Sequence, residues 1–436
     1  MDNDDFCISA RDGDLQYVKE LIQDLRVDPS VKDNRAIRWA ARNGHLEVVK
    51  LLLSDPRVDP SADDNYAIRL AAHNGQLEVV KLLLSDPRVD PSAKNNDAIR
   101  WAAQNGHIKV VRLLLKDSRV DPSADNNEPI CASAHYGYVE VVRLLLTYPC
   151  VDPSARNNWA FRYAARNGYI KVVRLLLKDS RVDPSAQDNQ ALRCAAGNGH
   201  TEIVRLLLKD SRVDPSAQDN EALRCAGGNG HTEIVRLLLK DPRVDPSVKD
   251  NRAICVSAQH GHVEVVRLLL KDSRVDPSTR YNYAICWAAA RGHVEVVKLL
   301  LKDSRVDPSA HNNYNFAIIN ACKNNDLDMV KVLLSDSRVQ SSLTNNKCKL
   351  LFEFKWKCSY KIISFFILFF LGTLFGEDFK FMMIGRSTNE EKEKFYFDLK
   401  DRQLRIKISL INLFENILFR DIIEHSIIPF LQYEIK

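Results

Sequence analysis

Six histidines recur at one position of a repeated motif, each directly after a glycine. They are His45, His107, His200, His231, His262 and His293. A column of imidazoles could bind a metal ion, but other copies of the motif carry glutamine or tyrosine at this position. Copies packed about 8–10 Å apart are also too distant to share one ion whose ligand bonds are about 2.1 Å long. We therefore predict a structural role for these residues in a turn, with no metal and no cofactor.

The cysteines are the next candidates for chemistry. Cys7, Cys131, Cys255 and Cys286 share one position of the motif. No copy supplies the distinctive base that a nucleophilic thiol needs, so we predict small apolar fillers and no catalytic residue. The ten cysteines form no CxxC pair, and residues 1–14 lack the apolar core of a secretory signal. We expect free thiols and a cytoplasmic protein.

Two glycine-rich stretches resemble phosphate-binding loops. They are GNG at 197–199 and GGNG at 227–230. Both fall at the end of a predicted helix and not between a strand and a helix, so the context excludes a dinucleotide site.

The whole motif returns every 31 residues. We number the copies as repeats 1 to 11 by their opening asparagines: Asn3, Asn34, Asn65, Asn96, Asn127, Asn158, Asn189, Asn220, Asn251, Asn282 and Asn315. The last step is 33 residues. Residues 1–342 are predicted to form the repeat domain and residues 343–436 a separate, mainly helical C-terminal region.

The sequence of each repeat predicts two helices followed by a connector. Asn34 is a candidate N-cap, and the alanines and Ile37 within 36–41 share one helical face. Gly44 tolerates a positive φ and ends this helix. Residues 46–53 predict a second helix, apolar round most of its surface, which ends before Pro56. A single repeat cannot bury such faces alone, so the repeats must stack into an all-α helix-turn-helix solenoid.

The stretch AIRWAARNGHLEVVKLLL (36–53) resembles the ankyrin repeat, with its alanine-rich helix, its Gly-His turn and its EVV and LLL segments in that order. Arrays of 31-residue units are similar to those common in amoebae and in the large DNA viruses that infect them. The usual Thr-Pro-Leu-His start is replaced by x-Ala-Ile-Arg, and two residues are missing where the family has its β-hairpin finger. The resemblance implies shortened fingers and a protein that binds other proteins and is not an enzyme.

Two positions vary while the framework stays constant: the residue after the opening asparagine and the residue two before the turn glycine. By the resemblance they face the concave surface, where partners dock. The candidate partner-binding residues are Arg35, Arg42, Tyr66, His73, His135, Trp159, Arg166, Arg252 and Tyr283. A constant framework with variable, partly aromatic positions suits a binding surface; drift at exposed sites is the alternative.

The recurring Arg57-Val58-Asp59 motif would place arginines and aspartates in parallel columns. A charged recognition surface is one interpretation. We favour a self-compensating ladder of surface pairs, each contributing about 0–1 kcal/mol.

The C-terminal region contains 15 uncharged residues at 362–376. A membrane-spanning helix needs about 20, so this segment is either the buried helix of a soluble cap or a short membrane anchor that leaves the array in the cytosol. His425 is the region's only histidine, with no catalytic motif around it.

The net charge of +5 is small for 436 residues, and no clustered Lys/Arg block is evident. We therefore expect a protein partner, no nucleic acid and no oligomer. The predicted function is a scaffold or adaptor in the cytoplasm, which would be the host-cell cytoplasm if the source is viral, with a membrane-tethered adaptor as the alternative.

Overall fold

A computed structural model of the chain describes residues 2–309 and 316–345. These residues belong to two bodies, Met1–Arg280 and Tyr281–Lys436, here called the N-terminal and C-terminal bodies and considered separately. The predicted opening of repeat 11 at Asn315, nearly all of region 343–436 and the apolar segment 362–376 lie outside the described residues.

All regular structure in the described residues is helical, which confirms the predicted all-α fold. The first helices of repeats 1 to 9 are α1 (Asp2–Asp12), α3 (Val31–Asn43), α5 (Ala62–His73), α7 (Ala93–Gln104), α9 (Ala124–His135), α11 (Ala155–Arg166), α13 (Ala186–Gly197), α15 (Ala217–Gly228) and α17 (Val248–Gln259). The second helices are α2 (Leu15–Gln23), α4 (Leu46–Leu53), α6 (Leu77–Leu84), α8 (Ile108–Leu114), α10 (Val139–Leu145), α12 (Ile170–Leu176), α14 (Thr201–Leu207), α16 (Thr232–Leu239) and α18 (Val263–Leu269). Later in the chain come α19 (Thr279–Ala290), α20 (Val294–Leu301), α21 (Phe316–Lys323), α22 (Leu327–Leu334) and α23 (Ser337–Asn345).

Stacking follows from the apolar pattern of each repeat. Helix α3 packs between α1 and α5, and α4 between α2 and α6. Ala36, Ala40 and Ala41 are completely buried, and their small side chains let neighbouring first helices approach closely. Val49 and Leu52 are also completely buried, on the second helix. Full burial of one such aliphatic side chain contributes about 1.5–3 kcal/mol. Because these helices pack against their counterparts in both neighbouring repeats, the core is continuous from repeat to repeat.

Before most first helices the chain makes a left-handed turn that the sequence did not predict. In repeat 4 it comprises Lys94, Asn95 and Asn96, with φ of 52°, 57° and 65°, and the right-handed helix starts only after it. The predicted N-cap role of the opening asparagine is therefore wrong. The Oδ1 atom of Asn96 instead accepts a hydrogen bond of 2.8 Å from the backbone N–H of Asp121, in the connector after the second helix. The same bond forms in each of repeats 1 to 9.

In repeats 2, 3, 6, 7 and 8 the arginine four residues after the opening asparagine bonds to this turn. In repeat 7, Nε of Arg193 donates to the carbonyl of Asp188 at 3.0 Å and Nη2 donates to that of Gln187 at 3.2 Å. Non-glycine residues in left-handed conformation cost about 1–2 kcal/mol each, and in these repeats the bonds offset part of that cost.

Candidate functional site

The turn glycines and the residues after them form a ladder between repeats. Gly75 has φ of 74°, and a Cβ atom there would lie 2.6 Å from Nδ1 of His107 in the next repeat. Nε2 of His107 in turn lies 3.0 Å from the carbonyl oxygen of His73. His45, His200, His231 and His262 contact the preceding repeat in the same way. The structure therefore places these histidines at the turn, as predicted, and shows in addition that they bond to the preceding repeat.

The recurring arginines also join repeats, through a partner other than the predicted one. Arg88 pairs with Asp86 at 2.7 Å, and its Nη1 donates to the carbonyl of Val58 in the preceding repeat at 2.8 Å. Asp90, the aspartate of the Arg-Val-Asp motif, instead accepts from the N–H and hydroxyl of Ser92. The hydrogen bond from Arg88 holds the pKa of Asp86 below its usual value. The charges of the ladder therefore compensate each other, as expected, but the partner of the arginine is the aspartate two residues before it, as Asp86 is for Arg88.

Burial makes the framework cysteines poor nucleophiles. It raises the pKa of Cys131 to about 12 and that of Cys255 to about 11. In the C-terminal body, burial raises the pKa of Cys286 to about 12. A thiol with such a pKa carries almost no thiolate near neutral pH, which agrees with the predicted role as apolar filler. The glycine-rich stretches end helices α13 and α15 at Gly197 and Gly228, as the sequence indicated.

The exposed face of the first helices carries the variable residues. The two predicted positions lie one and eight residues after the opening asparagine, so they occupy one helical face with the fifth residue between them. We call these three positions the first-helix stripe; in repeat 2 it comprises Arg35, Trp39 and Arg42. All nine predicted residues are half-buried or exposed.

The sequence analysis missed the middle position of the stripe. It holds half-buried aromatic side chains in four repeats: Trp39, Trp101, Tyr163 and Trp287. Each of them lies four residues after the first variable position, and this helical spacing is the signal by which the sequence could have identified them.

An aromatic and cationic cluster covers repeats 2 to 4. The guanidinium of Arg35 lies 4.8 Å from the ring centroid of Trp39. The ring of Tyr66 lies 6.4 Å from that of Trp101, edge to face, and the ring of His73 lies 5.6 Å from the same indole. These distances suit aromatic pairing and cation–π attraction. The guanidinium of Arg38, beside the stripe, lies 5.6 Å from the ring of Tyr66 and joins repeat 2 to repeat 3, so the cluster continues over three repeats.

Beneath this cluster lies a buried ion pair. Arg69 contacts Asp97 at 2.8 Å, and their side chains are 8% and 12% exposed. The guanidinium of Arg69 also lies 4.7 Å from the ring of Tyr66. Because Asp97 is paired in this way, it adds little free negative charge to the surface.

A second cluster covers repeats 5 and 6. The rings of Trp159 and Tyr163 stack with centroids 4.2 Å apart, and His135 lies 5.4 Å from Trp159. The guanidinium of Arg166 lies 5.8 Å from the ring of Tyr163. Nδ1 of His135 is buried without a hydrogen-bond partner in the described part of the chain.

The stripe changes character in repeats 7 and 8. Its last position there is Gly197 or Gly228, and its middle position is Cys194 or Cys225. Arg252, in repeat 9, is half-buried. Within the C-terminal body, the ring of Tyr283 lies 5.6 Å from that of Trp287. The large aromatic and basic side chains of the N-terminal body are therefore concentrated in repeats 2 to 6.

Charge on the stripe is uneven. Its acidic members in repeats 2 to 9, Asp97, Glu128 and Glu221, pair with Arg69, Arg156 and Arg193 respectively. Across residues 2–309 and 316–345, no carboxylate lies within salt-bridge distance of Arg42 or Arg166, both of which are exposed. The stripe in repeats 2 to 6 thus presents half-buried rings with uncompensated guanidinium groups beside them.

A family model for ankyrin repeats in three copies matches residues 6–95, 39–126, 99–188, 161–250 and 254–347. The matches cover most of the chain, and the protein belongs to the ankyrin repeat family. Members of this family are generally scaffolds for protein–protein interaction and are typically non-enzymatic. A search of curated proteins finds no match.

Within the portions that the structure describes, no helix has both the length and the apolar composition needed to cross a bilayer. The two alternatives for 362–376, the buried helix of a soluble cap and a short membrane anchor, concern residues outside those portions and stay predictions, as does the domain boundary near 342.

Proposed function

We propose that the protein is a non-enzymatic cytoplasmic scaffold that docks a protein partner on the first-helix stripe of repeats 2 to 6. The observation that carries the proposal is the contrast between a constant, bonded framework and a variable, partly exposed row of Trp, Tyr, His and Arg. Trp, Tyr and Arg dominate the binding energy of protein interfaces.

The energetics support this location. Rings that are already packed against neighbouring rings lose little conformational freedom on binding, so more of the buried area appears as affinity. The uncompensated charges of Arg42 and Arg166 can pair with carboxylates of a partner without breaking an existing ion pair. Repeats 7 and 8, with glycine and cysteine on the stripe, offer no comparable contacts.

Proximity labelling with the full chain tests the proposal. The variant Arg42→Glu, Arg166→Glu reverses two exposed stripe charges, and its matched control Lys50→Glu, Lys81→Glu makes the same net change on exposed residues of α4 and α6. We expect the stripe variant to lose a reproducible set of labelled proteins that the wild type and the control both retain. If both variants keep that set, or both lose it equally, the stripe is not the docking surface.

A further inference from the structure

The second helices carry a charge pattern that becomes clear only when the repeats are superimposed. Six repeats of the N-terminal body have glutamate at the second residue of the second helix: Glu47, Glu78, Glu140, Glu202, Glu233 and Glu264. Repeats 4 and 6 have Lys109 and Lys171 there instead. The change of sign is confined to these two repeats.

The substitution leaves three cations together in each of the two repeats. In repeats 5, 7, 8 and 9 the glutamate pairs with the arginine three residues later, as Glu140 does with Arg143 at 3.2 Å and Glu233 with Arg236 at 3.2 Å. In repeats 4 and 6 this arginine has a lysine beside it, and a further lysine follows the helix. The two basic triads are Lys109, Arg112 and Lys116, and Lys171, Arg174 and Lys178.

All six side chains are exposed, and throughout the described residues none has a carboxylate within salt-bridge distance. Members three and four residues apart share one face of a helix, so each triad extends about 10 Å. Repeats packed about 8–10 Å apart put the triads roughly 20 Å from each other. Two compact basic spots are thus separated by the electrically balanced Glu140–Arg143 pair of repeat 5.

The surroundings argue against an extended polyanion or a membrane. Residues 1–33 hold nine aspartates and glutamates against four lysines and arginines, so the first repeat repels a long anion lying along the second helices. Every exposed residue of α8 and α12 is a lysine or arginine. Neither helix exposes a ring for stacking on a base or an apolar side chain for insertion into lipid.

We propose that the two basic triads bind a short acidic segment of a protein partner, with carboxylates at helical spacing. Complementary charge of this kind steers association and fixes the register of the partner. The triads lie on the second helices, so this site does not depend on the first-helix stripe.

Fluorescence anisotropy of the full chain with a labelled alanine-rich helical peptide tests the proposal. The peptide bears two sets of glutamates at i, i+3 and i+7, and the sets begin roughly 14 residues, or about 20 Å, apart to match the distance between the triads. The variant Lys109→Glu, Lys171→Glu introduces into repeats 4 and 6 the glutamate that six other repeats already carry at this position, so the fold accommodates it. We expect this variant to bind the peptide about tenfold more weakly, because it removes two attractive pairs and adds two repulsive ones.

The control Lys19→Glu, Lys50→Glu reverses two exposed lysines of α2 and α4 and has the same net charge. Both residues lie at least two repeats from the nearer triad, so we expect this control to bind within about twofold of the wild type at physiological salt, where distant charges are screened. The stripe variant Arg42→Glu, Arg166→Glu is expected to bind the peptide like the wild type even if it loses its own partners. Absence of peptide binding, or equal losses in all three variants, would overturn the proposal. Tighter, lysine-dependent binding to phosphatidylserine vesicles or to duplex DNA would also overturn it, because the partner class would then be wrong.

Discussion

Replacing Asn96 with alanine should destabilise repeat 4 far more than replacing its neighbour Asn95. Both residues have left-handed backbone angles, with φ of 65° and 57°. Asn95 is exposed, whereas Asn96 is 8% exposed and accepts from the N–H of Asp121 at 2.8 Å. The two substitutions therefore share the backbone cost, and only one of them removes the hydrogen bond.

The magnitude follows from these contacts. Alanine at either position pays a left-handed penalty of about 1 kcal/mol relative to asparagine. Asn96→Ala also leaves the partly buried N–H of Asp121 without its partner, which costs about 1–3 kcal/mol. We expect a loss of about 1 kcal/mol for Asn95→Ala and about 2–4 kcal/mol for Asn96→Ala. Asn96→Gly should fall between them, since glycine relieves the backbone but not the lost bond.

Hydrogen exchange measured by mass spectrometry is the appropriate assay, because stacked repeats open locally and one unfolding midpoint averages over all of them. The opening free energy of peptides that contain the amide of Asp121 should fall in the order given. Equal effects of Asn95→Ala and Asn96→Ala would refute the assignment of Asn96 as the acceptor that ties the first helix to the connector.

Three further predictions concern the framework. Hydrogen bonds from arginine lower the pKa of Asp55, Asp86, Asp117 and their equivalents below the ordinary 3.8. A carboxyl whose pKa is lower in the folded state than in the unfolded state stabilises the fold above its unfolded pKa. The thermal midpoint followed by circular dichroism should therefore stay constant from about pH 7 to about pH 5 and fall below about pH 4. A midpoint that rises on acidification through this window would contradict that pairing. Gly106→Ala should destabilise by more than about 2 kcal/mol, because Gly106 has φ of 73° and the new Cβ would lie 2.5 Å from the ring of Tyr138. In its control, Gly228→Ala, the nearest atom to the new Cβ belongs to Val256 at 3.4 Å, so this substitution should be neutral or stabilising by about 0.5–1 kcal/mol. Similar losses of stability in both variants would show that the turn geometry at Gly106 does not cause the effect. Iodoacetamide should alkylate the exposed Cys150 of the native protein before the buried Cys131 and Cys255, as read by peptide mass spectrometry, and early labelling of Cys131 would contradict its burial.

The regular features of the fold could be predicted from the sequence because they follow from periodicity. The buried alanines near Ala40, the positive φ of Gly44 and the helix end before Pro56 each depend on residues close together in the chain. The left-handed turn could not be predicted in this way. Three consecutive left-handed residues without glycine contradict local preference. In repeat 4 they are stabilised by the bond of Asn96 to a residue 25 positions away, and in repeat 7 also by the hydrogen bonds from Arg193.

The candidate site was predicted in part. Variation between repeats identified Tyr66, Trp159 and the other outer positions of the stripe. The central Trp39 and Trp101 were not identified, because they directly precede the buried alanines of the framework and resemble core residues. Pairing of Arg88 with Asp86, two residues earlier, could not be distinguished from pairing with Asp90 without the turn geometry. The basic triads were not predicted either. Lys109 and Lys171 are 62 positions apart in the sequence, and only stacking of the repeats brings their triads to roughly 20 Å from each other.

Site-specific photocrosslinking in cells tests the central claim most directly. A photoreactive phenylalanine analogue would replace Tyr66 or Tyr163 on the stripe of the full chain, with Lys240 and Lys271, exposed residues that follow α16 and α18, as control positions off the stripe. The account predicts one shared adduct, of the same partner protein, at Tyr66 and Tyr163 and not at the two lysines. An adduct that forms equally at Lys240 and Lys271, or stripe positions that give no adduct while the control positions do, would contradict it.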